Sequence, residues 1–218
     1  MPLLGLTGGI ASGKSTVSNR LKALGALIVD ADAISRELAA PEGQYLSRLR
    51  EAFGNGIIGD DGTLNRNALA DLVFSDPDKR RLLDSITHPE IIGHMWEAAN
   101  GALKRNTDCV VVMDAPLLIE TGMHRHMDWV WVVTAPRDTR INRLMLRDGL
   151  TAEQAKARIE SQIDDPQRLR YATHELNNSG SAKDLIKLVD ALWHNIIDIQ
   201  RQRGCNNSSP NKEDICRL

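Results

Sequence analysis

Aromatic residues make up only 4% of this 218-residue chain. They do not alternate with Lys and Arg, so nothing suggests a platform on which bases stack. Positive charge is not in excess either. Lys and Arg number 27 against 29 Asp and Glu, a formal charge of −2, and nucleic acid is not the expected partner. No apolar run approaches the ~20 residues that span a bilayer. The N-terminus has no basic segment leading into an apolar stretch and a small-residue cleavage site, so no membrane partner is expected. Cysteine is limited to Cys109, Cys205 and Cys216, widely spaced and without a C-x-x-C pair. That excludes a disulfide framework, and Cys109 in its apolar run reads as a small core residue. A reducing cytoplasmic location is expected. What is present is ordinary for a globular enzyme: 42% hydrophobic and 26% charged residues, in a length that suits one α/β domain with insertions.

The most informative stretch is Gly8-Gly9-Ile10-Ala11-Ser12-Gly13-Lys14-Ser15-Thr16. It fits the phosphate-loop pattern G-x-x-x-x-G-K-[ST], with Gly8, Gly13, Lys14 and Ser15 in the fixed positions. Glycines let the backbone wrap an anion so that successive N–H groups face phosphate oxygens. A helix starting near Gly13 adds unsatisfied donors and a partial positive charge. Lys14, read as a solvent-facing charge, would reach the β- and γ-phosphates, and the Ser15 hydroxyl would ligate Mg²⁺. Leu3 to Leu6 reads as a buried strand before the loop. Val17, Leu21 and Leu24 recur at helical spacing after it. Strand, loop and helix are the setting that this motif needs for a nucleoside triphosphate.

The remainder alternates strands with helices. Ala26 to Val29 is a short buried strand that runs into Asp30-Ala31-Asp32. Carboxylates just past such a strand end lie where α/β sheets bind ligands, and Asp32 would also serve as a helix N-cap. Residues 41–107 form a long insertion. In it, Leu46, Leu49 and Phe53 mark one helix, and Asn65 caps a second over 66–74. Asp76-Pro77 restarts a third, and Thr87-His88-Pro89 marks a break. Arg66 and His88 are polar residues at helix boundaries there. The run from Cys109 to Asp114 reads as a strand ending on a carboxylate placed for Mg²⁺ or its water. Trp129 to Val133 is a fourth strand. The next helix carries Arg137, Arg140, Arg143 and Arg147, the last three on one face. After a strand of a phosphoryl-transfer sheet, such a stripe is a candidate phosphate clamp. Thr151 and Gln154 form a capping box for a helix with Ala155, Ile159 and Ile163 along one face, Arg158 and Gln162 lying among them. Residues 137–170 read as a lid. His174 to Asn178 is a short edge strand, and a last amphipathic helix runs to about Arg203. Residues 204–218 have no core-forming pattern and are expected to be disordered. The nucleotide-binding core is then 1–40, 108–136 and 171–203.

In these motifs the chain resembles the dephospho-coenzyme A kinases, within the adenylate-kinase-like phosphate-loop group. The resemblance is carried by Leu6 to Thr16, Val29-Asp30-Ala31-Asp32 with Arg36, Gly62 to Arg66, Ile86-Thr87-His88-Pro89, Asp114-Ala115-Pro116-Leu117-Leu118 with Glu120, Arg143 with Arg147, and Asn178-Ser179-Gly180. It implies an α/β phosphate-loop fold with a five-stranded parallel sheet, a helical coenzyme A-binding insertion and a small lid. It also implies transfer of the ATP γ-phosphate to the ribose 3′-hydroxyl of dephospho-coenzyme A. On this resemblance Lys14, Asp32, Arg143 and Arg147 are catalytic, with Asp32 the base. Gly9, Ala11, Ser12, Gly13, Lys14, Ser15, Thr16, Asn178 and Gly180 bind ATP. Thr7, Asp32, Arg66, His88, Pro116 and Leu117 serve the acceptor, and Ser15 and Asp114 hold Mg²⁺. The family usually has Gln where Arg140 stands, Ala-Asp where Ala172-Thr173 stands, and an apolar strand where His174-Glu175 precedes Leu176. The rival readings are another small-molecule kinase on the same sheet, or an ATP-hydrolysing switch. Oligomeric state is not legible.

Overall fold

Runs of Val, Ile, Leu and Trp without polar alternation suit strands that are covered on both faces; four such strands and one polar edge strand form one sheet. The computed structural model describes residues 2–41, 43–74, 76–105 and 109–207. The strands are β1 (Leu3–Gly8), β2 (Leu27–Asp30), β3 (Val111–Asp114), β4 (Trp129–Thr134) and β5 (His174–Asn177). All pairings are parallel, in the order β2-β3-β1-β4-β5. The chain leaves the central β1 for one edge and reaches the other edge last. The carboxyl ends of β1 and β3 therefore lie side by side, with β2 and β4 flanking them. That is where an open α/β sheet binds ligands.

Alternate strand residues feed two cores. On one face Leu4, Leu6, Val112, Trp131, Val133 and Leu176 pack with Val17 and Leu21 of α1 (Lys14–Ala23) and with Leu185, Val189 and Trp193 of α9 (Ala182–Asn207). On the other, Val111, Met113, Val130 and Val132 meet Met95, Ala99, Ala102 and Leu103 of α5 (Pro77–Arg105). Two helical subassemblies extend the site. One packs α2 (Ala31–Leu38), α3 (Gln44–Phe53) and α4 (Arg66–Phe74) against the first half of α5, around Tyr45, Leu49, Ile57 and Leu69. The other joins α6 (Arg137–Asp148) and α7 (Ala152–Glu160) around Ile141, Leu144 and Ala155. The short α8 (Asp165–Leu169) follows it.

Several expectations change. No break occurs at Thr87-His88-Pro89, because α5 runs through Pro89. Pro89 removes one helical N–H donor and leaves the Ser85 carbonyl without its i+4 partner. The helix persists because α2, α3, α4, β2 and β3 all pack along it, and tertiary contact outweighs local propensity. Ile163 lies beyond α7, which stops at Glu160. Strand β3 starts at Val111, not Cys109. Helix α9 continues to Asn207, so residues 204–207 are helical rather than disordered, and 208–218 lie outside the described residues. Asn65 caps α4 as expected, its side chain accepting from Ala68 N at 3.0 Å. Thr151 and Gln154 form the expected capping box.

Candidate active site

The phosphate loop joins β1 to α1. Its backbone departs from what side chains prefer at two points: Ala11 has φ +60° and Gly13 φ +104°. A left-handed Ala costs about 1 kcal/mol or more and persists only where its surroundings impose it. At Gly13 a Cβ would overlap the Asn178 amide, so glycine is required for space as well as for conformation. Asn178 is buried and donates from Nδ2 to Ser12 O at 2.7 Å, which ties the segment after β5 to the loop. The buried Ser12 Oγ has no hydrogen-bond partner. A strained loop with an unsatisfied hydroxyl at the N-terminus of a ten-residue helix suits a polyphosphate.

Lys14 is not the solvent-facing charge that the sequence suggests. Its side chain is 17% exposed and forms an ion pair with Asp114, which is 4% exposed. Burial pushes the Asp114 carboxyl above the ordinary carboxylate range. Lys14 pulls it back by charge and hydrogen bond, Ser18 adds a further hydrogen bond, and the Asp30 charge pushes up. Asp30 and Asp114 are register partners at the ends of β2 and β3. Ser15, one residue on, is exposed.

The N-cap of α2 is Asp30, not Asp32. Asp30 Oδ1 accepts from Asp32 N at 2.8 Å and from Ala33 N at 3.1 Å. One aspartate thus fixes the first turn of α2, and the other is left exposed in that turn. Asp32 lines a cavity of about 310 Å³ with His88, Pro116, Leu117 and Gln162, floored by Ile91, Ile92 and Met95 of α5. His88 Nε2 lies 3.4 Å from Asp84 Oδ1. Thr7 is buried and donates to Pro116 O at 3.0 Å, so it shapes the cavity wall from behind. Arg66 is exposed on α4, 3.4 Å from Ser35 O, and is not among the lining residues.

A second cavity, of about 500 Å³, opens on the β5 side of the loop. Ala11, Gly13, Ser15, Thr16, Arg143, Arg147 and Asn178 line it. Gly180 is exposed just beyond. The arginines of α6 differ sharply. Arg143 donates to Ala11 O and Ser12 O at 3.1 and 3.2 Å. Arg147 pairs with Asp148 at 2.7 Å, which raises its pKa through that hydrogen bond. Arg137 is exposed and pairs with Glu160. Arg140 is buried, and its Nε donates to Ile10 O at 2.9 Å. Burial lowers its pKa, and Asp165, 3.3 Å away, opposes that.

Sequence reasoning missed Gln162, whose Oε1 accepts from Ile10 N at 2.8 Å. It also missed Arg168, fully buried beside Asp165 and Glu120. The one available signal was a polar residue interrupting the apolar stripe of Ala155, Ile159 and Ile163. The departures near β5 have local roles. Thr173 Oγ1 accepts from Val130 N at 3.0 Å, and Glu175 Oε1 accepts from the Thr134 hydroxyl at 2.6 Å. An edge strand tolerates such polar residues.

A phosphate loop on this sheet, with a carboxylate ending the neighbouring strand and cavities on either side, defines a phosphate-loop kinase of the α/β class. The profile of one such family, described as dephospho-CoA kinase, matches residues 2–184. A dephospho-CoA kinase of Leifsonia xyli is 43% identical over 193 residues, 88% of this chain and 98% of that one. A crystal structure from Thermus thermophilus superposes with TM-score 0.73 at 34% identity, covering 89% of this chain and 97% of the other. A dephospho-CoA kinase from Campylobacter jejuni superposes with TM-score 0.59 at 26% identity, covering 89% and 96%. The chain belongs to the dephospho-CoA kinase family. Among the described residues no helix is long and apolar enough to cross a membrane.

Proposed function

We infer that this protein transfers the γ-phosphate of ATP to the ribose 3′-hydroxyl of dephospho-coenzyme A, giving coenzyme A and ADP. The observation that carries this reading is the pair of cavities flanking the phosphate loop. One, on the β5 side, is lined by Gly13, Ser15, Arg143 and Asn178. The other, on the β2–β3 side, is lined by Asp32, His88, Pro116 and Leu117. The first suits the nucleotide and the second an acceptor. The Lys14–Asp114 ion pair joins the first residue of α1 to the last of β3.

In this reading the acceptor oxygen attacks the γ-phosphorus, the bond to the β–γ bridging oxygen breaks, and ADP leaves. Positioning and charge stabilisation dominate such transfers. Asp32 orients the 3′-hydroxyl and accepts its proton late. Lys14 exchanges its Asp114 contact for phosphate oxygens, and Arg143 supports charge on the transferring group. Arg147 joins after leaving Asp148. The exposed Ser15 hydroxyl and the Asp114 carboxylate are the groups that would hold Mg²⁺, directly or through water. The ion would neutralise charge on the β- and γ-phosphates. The helices of 41–107 act as the acceptor-binding insertion, with Arg66 reaching it as the insertion closes, and 137–170 as the lid. Thr7 holds Pro116 in place, and Gly180 borders the adenine. The setting is the cytoplasm, where ATP is available.

The test is to incubate the protein with ATP, Mg²⁺ and dephospho-coenzyme A and to follow the products chromatographically. Coenzyme A and ADP should appear in equal amounts. ADP formed at the same rate without acceptor would favour the switch reading instead.

A further inference from the structure

Ile10, at the crest of the phosphate loop, is held from the α6–α8 segment through its N–H, its carbonyl and its side chain. Gln162 Oε1 accepts from Ile10 N at 2.8 Å. Arg140 Nε donates to Ile10 O at 2.9 Å, and the Ile10 side chain packs on Ile141, Leu144 and Ala155. A Cβ on Gly9 would overlap the Arg140 guanidinium, so the arginine lies flush on the loop. Behind it Asp165 meets Arg140 through one oxygen at 3.3 Å and Arg168 through the other at 3.1 Å. Arg168 itself is sealed from solvent. Two guanidiniums brought together in a buried place are costly unless a carboxylate bridges them. The cluster orders α8 relative to α6, and with it the bend that carries Gln162.

Gln162 also lines the cavity containing Asp32 and His88. One face of this side chain therefore belongs to the acceptor cavity, while its oxygen belongs to the phosphate loop. We propose that Gln162 is a positioning residue that sets the loop at Ile10 in its nucleotide-receiving shape and joins it to the acceptor cavity, with the Arg140–Asp165–Arg168 cluster as its rigid backing. Its consequence for turnover rests on the kinase reading above; its effect on the loop does not.

Three variants separate the hydrogen bond from bulk. Gln162→Met keeps the length without the amide oxygen, Gln162→Ala removes both, and Gln162→Glu restores an acceptor. Amide exchange of Ile10 in the ligand-free protein, referred to Val132 in β4, is read by NMR, and ADP affinity by calorimetry. Loss of one neutral hydrogen bond shifts a local equilibrium by about three- to tenfold. The Met and Ala variants should exchange Ile10 about threefold faster or more and bind ADP about threefold more weakly or worse. The Glu variant should keep Ile10 protected. Smaller changes in exchange overturn the proposal, as does faster exchange with unaltered ADP affinity, or a Glu variant that behaves like Met. A protein that meets all three expectations but leaves dephospho-coenzyme A unphosphorylated overturns the kinase reading alone.

Discussion

Replacing Lys14 by Met should destabilise the ligand-free protein by an amount that depends on pH, and the sign follows from Asp114. That carboxyl is almost sealed, and burial already raises its pKa, with Lys14 and Ser18 opposing and Asp30 reinforcing. Removing Lys14 takes away its strongest counterweight, so the folded-state pKa rises further. A carboxyl raised in the folded state adds stability below its unfolded pKa of ~3.9. That stability is lost as pH climbs through the folded value. The variant's deficit should therefore be small near pH 4.5 and grow toward pH 8. Breaking a buried pair from one side costs about 3–5 kcal/mol. Asp114 escapes part of this by taking a proton, at about 1.4 kcal/mol per unit of pKa, and Lys14 is not fully buried. An expected deficit of about 2–4 kcal/mol at pH 8 remains.

Urea unfolding without nucleotide, at pH 5 and pH 8, measures this directly. Lys14→Met combined with Asp114→Asn is the control, because the neutral amide has no charge to strand. It should recover most of the loss at pH 8. A deficit equal at both pH values, or no recovery in the double variant, would refute the reasoning. The same side chain that would meet phosphate thus also lowers the pKa of a buried carboxyl.

Three further outcomes are expected. Asp32→Asn should lower turnover about 10²-fold, the lower end for a lost general base, with ATP affinity unchanged; turnover within threefold of the parent would exclude Asp32 as the base. Arg143→Gln should reduce turnover far more than Arg137→Gln, since Arg143 grips the loop at Ala11 and Ser12 while Arg137 pairs with Glu160 at the surface; equal small losses would return both to surface charges. Ending the chain after Asn207 should leave the melting temperature and turnover unaltered, because the sequence beyond it has no apolar periodicity; a loss of several degrees would show that those residues pack.

The strands and the phosphate loop were legible because their information is local. A strand covered on both faces must be apolar throughout, and a loop that wraps phosphate must carry its glycines and lysine in fixed order. The cavity beside the ends of β2 and β3 was half legible. Asp32, His88, Pro116 and Leu117 converge on it, yet only their match to a family pattern grouped them. Their separation along the chain carries no periodicity. Local rules misassigned Thr87-His88-Pro89, since a proline signals an end wherever packing does not decide otherwise. Here α5 is clasped along its length by three helices and two strands. His88 therefore projects from the middle of a rigid rod and not from a loose boundary. That is a firmer foundation for a side chain lining a cavity.

The aspartate pair shows the same limit from the other side. From the sequence both aspartates lie past the end of a strand, and Asp32 is the one read as a helix N-cap. What divides them is the path of the chain at the end of β2. Residue 30 keeps extended backbone with φ −99° and ψ 114° while accepting two amides, and residue 32 is already inside the helix. Asp30 commits one carboxylate oxygen to two backbone amides, and it is also the register partner of the buried Asp114 in the adjacent strand. Asp32 shares neither burden. Its exposed oxygens are free to meet a hydroxyl, and the helix that Asp30 anchors holds them still. One aspartate anchors the turn and leaves the other exposed on it, a division that spacing alone could not reveal.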